Sequence, residues 1–279
     1  MRPKQWTKNL FVLAGAVFSG RALEADVELR AWATFIAFCA ISSATYLIND
    51  LRDRDFDRLS ERTAGRPIAR GDIGPRTTVI AAVTCTVVAA AIGAAINWET
   101  LAVLGGYAVM QALYIAWFKH MLFLDVMTIA VGFLLRTVAG IVCIGAAYSP
   151  WLLLATGLLA LFIGLAKRRG ELVALADATH ISRPVLDQYS LALVDELISV
   201  VTPCIVMVYA LYAVLGAPSD AMLATLPFVI YGIFRVLFLM HHGGKVTEDP
   251  SLLAIRDRPL MICIALWAVA SGIVTAVSY

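Results

Sequence analysis

The stretch richest in chemistry is Tyr46-Leu-Ile-Asn49-Asp50-Leu-Arg-Asp53-Arg-Asp-Phe-Asp57. Asn49, Asp50, Asp53 and Asp57 recur at helical spacing, which places them on one face of a helix. Asp55 falls off that face, toward solvent or a neighbouring arginine. Carboxylates so close repel one another, by roughly 0.2–0.5 kcal/mol per pair on an exposed helix, and by more at the end of a membrane span. A hard cation removes that repulsion. Mg²⁺ suits the set, because it is held through one or two carboxylates together with substrate phosphates. The plain alternative is a solvated, salt-bridged helix end, since Arg52, Arg54 and Arg58 interleave. The one-face spacing beside an apolar run favours the metal–diphosphate reading.

Downstream comes Arg62-Thr-Ala-Gly-Arg66-Pro67-Ile-Ala-Arg70-Gly71. Arg62, Arg66 and Arg70 are expected to form an anion-binding strip beside the metal, with Gly65 and Gly71 allowing close backbone approach. Ordinary topology charge is the competing account. Arg136 lies about ten residues into an apolar run, where an ionisable group is expensive and faces the bundle interior or a watery cavity. Its expected partner is a lipid phosphate or an internal carboxylate. Arg235 sits nearer the end of its run and can snorkel. Asp125 opens a run, where a helix N-terminus favours an anion; a cap and a substrate contact are both open. Lys119, just before it, is either a phosphate ligand or a topology charge.

The elements that must position these residues are membrane helices. Of the 279 residues, 61% are hydrophobic and 15% charged, with mean hydropathy +0.82. A soluble domain carries about a quarter charged residues, so this composition excludes a soluble globular protein, a disordered chain and a nucleic-acid-binding module. It implies an all-α, polytopic membrane protein. Apolar runs of roughly 20 residues fall at 6–20, 31–47, 78–96, 101–118, 122–145, 150–166, 191–215, 222–240 and 260–277, predicting about nine helices. The first is short, with Arg2, Lys4 and Lys8 ahead of an apolar core as in a signal peptide. Residues 21–30 offer no convincing small-residue cleavage site, so it is read as a span.

Eighteen of the 22 Lys and Arg fall in alternate segments: 1–8, 49–76, Lys119, 167–183 and 245–258. The opposite segments contribute only Arg21 and Arg30. The positive-inside rule then predicts a cytoplasmic N-terminus in a plasma (inner) membrane, an outward C-terminus and a polar site open to the cytoplasm. No internal repeat or linker is visible, so residues 1–279 are read as one domain. The five cysteines, Cys39, Cys85, Cys143, Cys204 and Cys263, each sit in a different apolar run and read as small buried hydrophobes. The four histidines lack neighbours at zinc-ligand spacing, so no transition metal is assigned.

The two polar stretches together resemble the UbiA-type superfamily of intramembrane prenyltransferases, through Asn49, Asp50, Asp53, Asp57, Arg66, Pro67 and Gly71. The resemblance implies a nine-helix bundle, Mg²⁺ on the aspartates and a polyprenyl-bearing substrate within the bundle. The rest of the chain is similar to the decaprenyl-phosphate phosphoribosyltransferase-like branch. The stretches that carry this are Arg2-Pro-Lys-Gln-Trp-Thr-Lys8-Asn9, Tyr114-x-x-x-x-Lys119, Leu124-Asp125-Val126, Gly132-Phe-x-x-Arg136-x-x-x-Gly140 and Lys167-Arg168-Arg169-x-Glu171.

That likeness implies phosphoribosyl transfer from phosphoribosyl diphosphate to polyprenyl phosphate. Asp50, Asp53 and Asp57 would be catalytic, holding the metal with Asn49. Lys8, Asn49, Arg62, Arg66, Arg70, Tyr114, Lys119, Asp125, Arg136 and Lys167–Arg169 would meet the substrates. Aromatic-acceptor members resemble one another in a second D-x-x-x-D cluster; here the only one is Asp53/Asp57, and the corresponding inner end of the sixth run carries Lys167-Arg168-Arg169. A basic triplet suits an extra substrate phosphate, although basic residues also complement a helix C-terminus. One departure points the other way. The branch's His-Pro and Lys-Arg pairs are replaced by Ser60, Glu61, Thr63 and Ala64, and Arg62-Thr63-x-x-Arg66-Pro67 is similar to the aromatic-acceptor form. Prenyl transfer to an aromatic or other small acceptor is therefore the alternative. A transporter is a further class, with Pro203 and Pro227 as span interruptions. Membrane lipids are implied partners, and a homo-oligomer is left open.

Overall fold

The computed structural model describes residues 3–19, 21, 24–59, 63–176, 185–217, 219–242 and 257–278. Among them every regular element is helical, and eight helices are long and apolar enough to cross a membrane. The chain forms two compact units, Met1–Tyr148 and Ser149–Tyr279.

The first unit begins with a predicted span that is not a single α-helix. Pro3–Leu13 is a 3-10 helix of 11 residues, and it continues as α1, Ala14–Phe18, of 5 residues. At about 2.0 Å rise per residue for a 3-10 helix and 1.5 Å for an α-helix, the segment is roughly 30 Å long. That is the thickness of the hydrocarbon core, so the stretched winding lets a run too short for an α-helical span match a bilayer. Four long helices follow: α2 (Ala25–Arg52), α5 (Pro75–Ile96), α6 (Trp98–Ala116) and α7 (Leu124–Val142). Between α2 and α5 lie the short helices α3 (Arg54–Leu59) and α4 (Pro67–Arg70).

Helices in lipid gain little from hydrophobic attraction and associate by close packing of small residues. α2 buries Ala31, Ala37, Ser42, Ser43 and Ala44, and packs Ala44 and Leu47 against Ala82 and Cys85 of α5. Its hydroxyls do not go unpaired in the apolar interior: Thr34, Ser42 and Ser43 donate to the carbonyls of Arg30, Phe38 and Cys39 one turn back. A single residue, Asn97, separates α5 from α6. Its Oδ1 caps α6 at Thr100 N (2.7 Å) and its Nδ2 donates to Val142 O (2.9 Å) at the far end of α7.

The N-terminal segment docks on α7 through glycine. A Cβ on Gly140 would stand 1.8 Å from Val12 O, and one on Gly15 would stand 2.4 Å from Gly140 C. Beside this contact the buried Arg136 guanidinium donates to Asn9 Oδ1 (2.7 Å), Tyr107 Oη (2.9 Å) and Gly132 O (2.7 Å). It also stacks 4.8 Å from the Tyr107 ring centroid. Neither a lipid phosphate nor an internal carboxylate is needed to explain its place. Its role in the fold is to join the N-terminal segment, α6 and α7.

The second unit consists of α8 (Pro150–Ala176), α9 (Leu191–Leu215), a 3-10 turn at Asp220–Thr225, α10 (Leu226–His242) and α11 (Arg258–Ser278). α9 runs unbroken through Pro203, and Pro227 sits in the first turn of α10, where proline is tolerated. Neither interrupts a span as a transporter site would. Tyr209 ties the unit together, lying 2.6 Å from Thr225 Oγ1 and accepting from Trp267 Nε1 (2.7 Å). Arg235 does not snorkel freely. It grips Asp257 with two bonds of 3.1 and 2.8 Å, and this holds the Asp257 carboxyl below its ordinary pKa. The pair's contribution to stability is complete above the ordinary carboxylate pKa and disappears as pH falls through the depressed one.

Because Gly140 meets backbone rather than a movable side chain, Gly140→Val should destabilise the protein by at least about 2 kcal/mol, read as a lowered Tm in detergent. Arg136→Lys should also lower it, since an ammonium cannot serve three partners with one planar fork.

Candidate active site

The site is built where α2 leaves its apolar course. The helix breaks at Asp53 (φ −90°, ψ 9°), which caps α2, and resumes as α3. Backbone bonds from Asp53 N to Asn49 O (2.9 Å) and from Asp57 N to Asp53 O (2.8 Å) carry the helical repeat across the break. The expected common face survives: Asp50 Oδ1 and Asp57 Oδ2 both accept from the same nitrogen, Arg66 Nη1, at 3.3 and 2.6 Å. Asp50 and Asp57 are buried, and Asp55 points away with its side chain 94% exposed, 3.4 Å from Arg58.

Arg66 reaches the aspartates because the following loop folds back on α3. Thr63 Oγ1 donates to Asp57 O (3.1 Å) and Arg58 Nε donates to Ala69 O (2.8 Å). Pro67 then holds the preceding Arg66 extended (φ −67°, ψ 138°) at the N-cap of α4. This corrects the expected arginine strip. Arg70 N bonds Arg66 O (2.9 Å) as in a helical turn, but the side chains part, Arg66 turning to the aspartates. Arg70 turns to Asp72 (2.5 Å), with both side chains about half exposed. Arg62 lies outside the described residues. Gly71 is required, ending α4 at φ +90°, whereas a Cβ on Gly65 would meet nothing within 4 Å.

From across the first unit comes Lys119, on a 3-10 turn (Phe118–His120) after α6. Its Nζ donates to Asp53 Oδ1 at 2.6 Å, with its side chain 11% exposed. A topology charge would be solvated; this lysine is drawn into the site. The next turn passes through Phe123 at φ +66°, a costly conformation for a bulky residue, before α7 begins. Asp125 is fully buried in the first turn of α7, and the cap position itself is Phe123, which makes no side-chain cap bond. Tyr114 is half-buried on the last turns of α6, and Lys8 is half-buried beside Asn9.

The basic triplet belongs to the second unit and is not at a helix end. α8 runs past the predicted limit at 166 to Ala176. Arg168 is buried against Glu171. Arg169 donates to Asp195 Oδ1 (2.7 Å) and to Met240 O (2.6 Å), tying α8 to α9 and to the end of α10. Arg169 is thus a tie between helices of its unit, Arg168 pairs within α8, and Lys167 is half-buried beside them.

The sequence reading gave no role to Asn9 or Tyr107, although Asn9 closes one quoted motif and Arg136 lies in another. A buried arginine in an apolar span is the signal that could have prompted a search for their neutral partners.

The oxygen donors Asn49, Asp50, Asp53 and Asp57 suit a hard cation. Among the described residues Arg66 and Lys119 pair with these carboxylates. Among the described residues no group of three or more His, Cys, Asp or Glu forms a ready metal cage.

A family model described as the UbiA prenyltransferase family matches residues 9–256. The chain belongs to the UbiA prenyltransferase family. A decaprenyl-phosphate phosphoribosyltransferase of Mycolicibacterium smegmatis is 31% identical over 96% of this chain and 88% of its own length. One from Corynebacterium glutamicum is 30% identical over 96% and 82%. The fold matches the solved structure of a UbiA homolog from Archaeoglobus fulgidus bound to DMAPP and Mg²⁺, with TM-score 0.75 and 21% identity over 99% of this chain and 97% of that one. As a member of this family the chain is a multi-pass membrane transferase.

Arg66→Ala should reduce transfer by about 10²–10³-fold if it stabilises charge on the reacting phosphates. Arg70→Ala, removing an exposed pair, should leave transfer within about twofold of wild type. Steady-state product formation separates the two.

Proposed function

We propose that this chain transfers the 5-phosphoribosyl group of phosphoribosyl diphosphate to a polyprenyl phosphate, decaprenyl phosphate by its relatives' names, releasing diphosphate at the cytoplasmic face of the plasma membrane. Supplying arabinosyl donors to the cell envelope is the role that fits such a product. The observation that carries this reading is the near full-length likeness to two decaprenyl-phosphate phosphoribosyltransferases. The site supports it: three aspartates, Arg66 and Lys119 converge at the end of an apolar helix.

Asp50, Asp53 and Asp57, with Asn49, would hold Mg²⁺. When bound, Mg²⁺ would neutralise charge building on the leaving diphosphate. Arg66 and Lys119 hold positions from which to take diphosphate oxygens, with charge-assisted hydrogen bonds that strengthen as the C1–O bond breaks. The acceptor phosphate oxygen attacks C1 as an anion already formed at neutral pH, so no general base is required. Of the basic triplet, Lys167 is the candidate for a substrate phosphate. Arg136, whose guanidinium bonds run to Asn9, Tyr107 and Gly132, positions the N-terminal segment and with it Lys8. The polyprenyl chain lies among the apolar helices.

The form Arg62-Thr63-x-x-Arg66-Pro67, similar to that of aromatic-acceptor members, favours a second reading, prenyl transfer to an aromatic or other small acceptor.

Purified protein with Mg²⁺, labelled phosphoribosyl diphosphate and polyprenyl phosphate should yield labelled lipid and free diphosphate. Absence of that product, with prenyl transfer onto 4-hydroxybenzoate instead, would replace the first reading by the second. Asp53→Ala should abolish turnover while the circular dichroism spectrum and membrane insertion stay unchanged; wild-type turnover would reduce the acidic face to a solvated helix end. Mg²⁺ should bind weakly alone and far more tightly with diphosphate present, measured by titration calorimetry.

A further inference from the structure

The face of α2 turned away from the aspartates carries a second feature. A groove of about 320 Å³ runs between α2, α5 and α6, lined among others by Ile41, Ala44 and Ile48 of α2, Val83 and Val87 of α5, and Ala112 of α6. The two threonines in its wall, Thr45 and Thr86, spend their hydroxyls on Ser42 O (2.8 Å) and Ala82 O (2.9 Å). The wall therefore offers methyl and methylene groups and no free donor, which suits a hydrocarbon chain and excludes a sugar or nucleotide.

The chemistry changes at one end. Arg52 lies one turn beyond Ile48 on the same face, and its Nη2 donates to Ala116 O (3.4 Å), next to the groove residue Ile115. Arg76 lies two turns before Val83 on the groove face of α5. Both arginines are exposed, and among the described residues neither has a carboxylate partner. Trp117, 62% exposed, adjoins Ala116, and such aromatic residues mark headgroup depth. An apolar slot that ends at headgroup level in two unneutralised guanidinium groups has the shape and charge of an anionic lipid: one chain below, one phosphate above.

We propose that this groove holds one acyl chain of an anionic diacyl phospholipid whose phosphate is received by Arg52 and Arg76. It is distinct from the transfer site. At about 100° per residue, Asp50 points half a turn away from Ile41, Ala44 and Ile48, so a lipid whose phosphate reacts beside the aspartates lies on the other side of α2. The site stands whichever group the enzyme transfers. It places an anionic lipid against the helix that carries Asn49 and Asp50, so occupancy stiffens the base of the acidic site.

The full chain in detergent, mixed with phosphatidylglycerol or with phosphatidylcholine of the same chains, tests this by native mass spectrometry. Phosphatidylglycerol adducts should exceed phosphatidylcholine adducts by about thirtyfold, given roughly 1 kcal/mol for each of two basic residues at an anionic headgroup. The preference should vanish in the double variant Arg52→Gln/Arg76→Gln and persist in Arg52→Lys/Arg76→Lys. Ala112→Phe, which fills the slot and leaves both arginines in place, should remove the adduct without lowering the lipid-free Tm. Three results would overturn the proposal. One is equal retention of the two lipids. Another is displacement of phosphatidylglycerol by equimolar polyprenyl phosphate, which would give the groove to the acceptor. The last is an oligomer that Ala112→Phe dissociates, which would give the face to a second copy of the chain.

Discussion

Three carboxylates within two helical turns cannot stand bare at the end of a membrane helix, and much of the first unit follows from that repulsion. Arg66 is drawn between Asp50 and Asp57, and Lys119 against Asp53. Each cation brings its own backbone with it. The loop after α3 must fold back, which Thr63, Pro67 and the left-handed Gly71 accomplish. The turn after α6 must reach across, and it does so through the unfavourable backbone of Phe123. The same cations that make the empty acidic face tolerable are the ones a diphosphate would recruit, so the fold's electrostatic solution and its chemistry share their parts.

A second constraint acts deeper in the unit. Arg136 is buried with no carboxylate partner among the described residues, and its desolvation is offset by neutral acceptors and ring faces: Asn9, Gly132, Tyr107, Phe133 and Phe38. Two stretches far apart in the sequence, the one ending in Asn9 and the one from Gly132 to Gly140, turn out to be two halves of one contact. Gly140 admits the Val12 backbone and Arg136 holds the neighbouring Asn9.

Much of this was legible in the residues. All eight long helices fall on predicted apolar runs, with α2 and α8 running well past theirs, because run length against bilayer thickness is a strong signal. The common face of Asp50, Asp53 and Asp57 was readable from spacing, and Asp55 from its register. The rest depended on geometry that spacing does not carry. Arg66 and Arg70 look like one strip until Arg66 is seen to turn to Asp50 and Asp57 and Arg70 to Asp72. Lys167-Arg168-Arg169 looks like the end of a span, but α8 continues to Ala176 because charged residues that find internal partners, Glu171, Asp195 and Met240 O, need not stop a helix. The first span was invisible as a 3-10 helix, since that winding is set by what it packs against and not by its composition.

That winding has a mechanical consequence. A 3-10 helix holds more length per residue than an α-helix, so Pro3–Leu13 could shorten by about 5 Å by rewinding. The segment is held along its length, Trp6 on Ser43, Asn9 on Arg136, and Val12 and Gly15 on Gly140, so any such change is passed on to α2 and α7. The first helix of this enzyme is thus a clamped spring whose length is set against the thickness of the membrane around it.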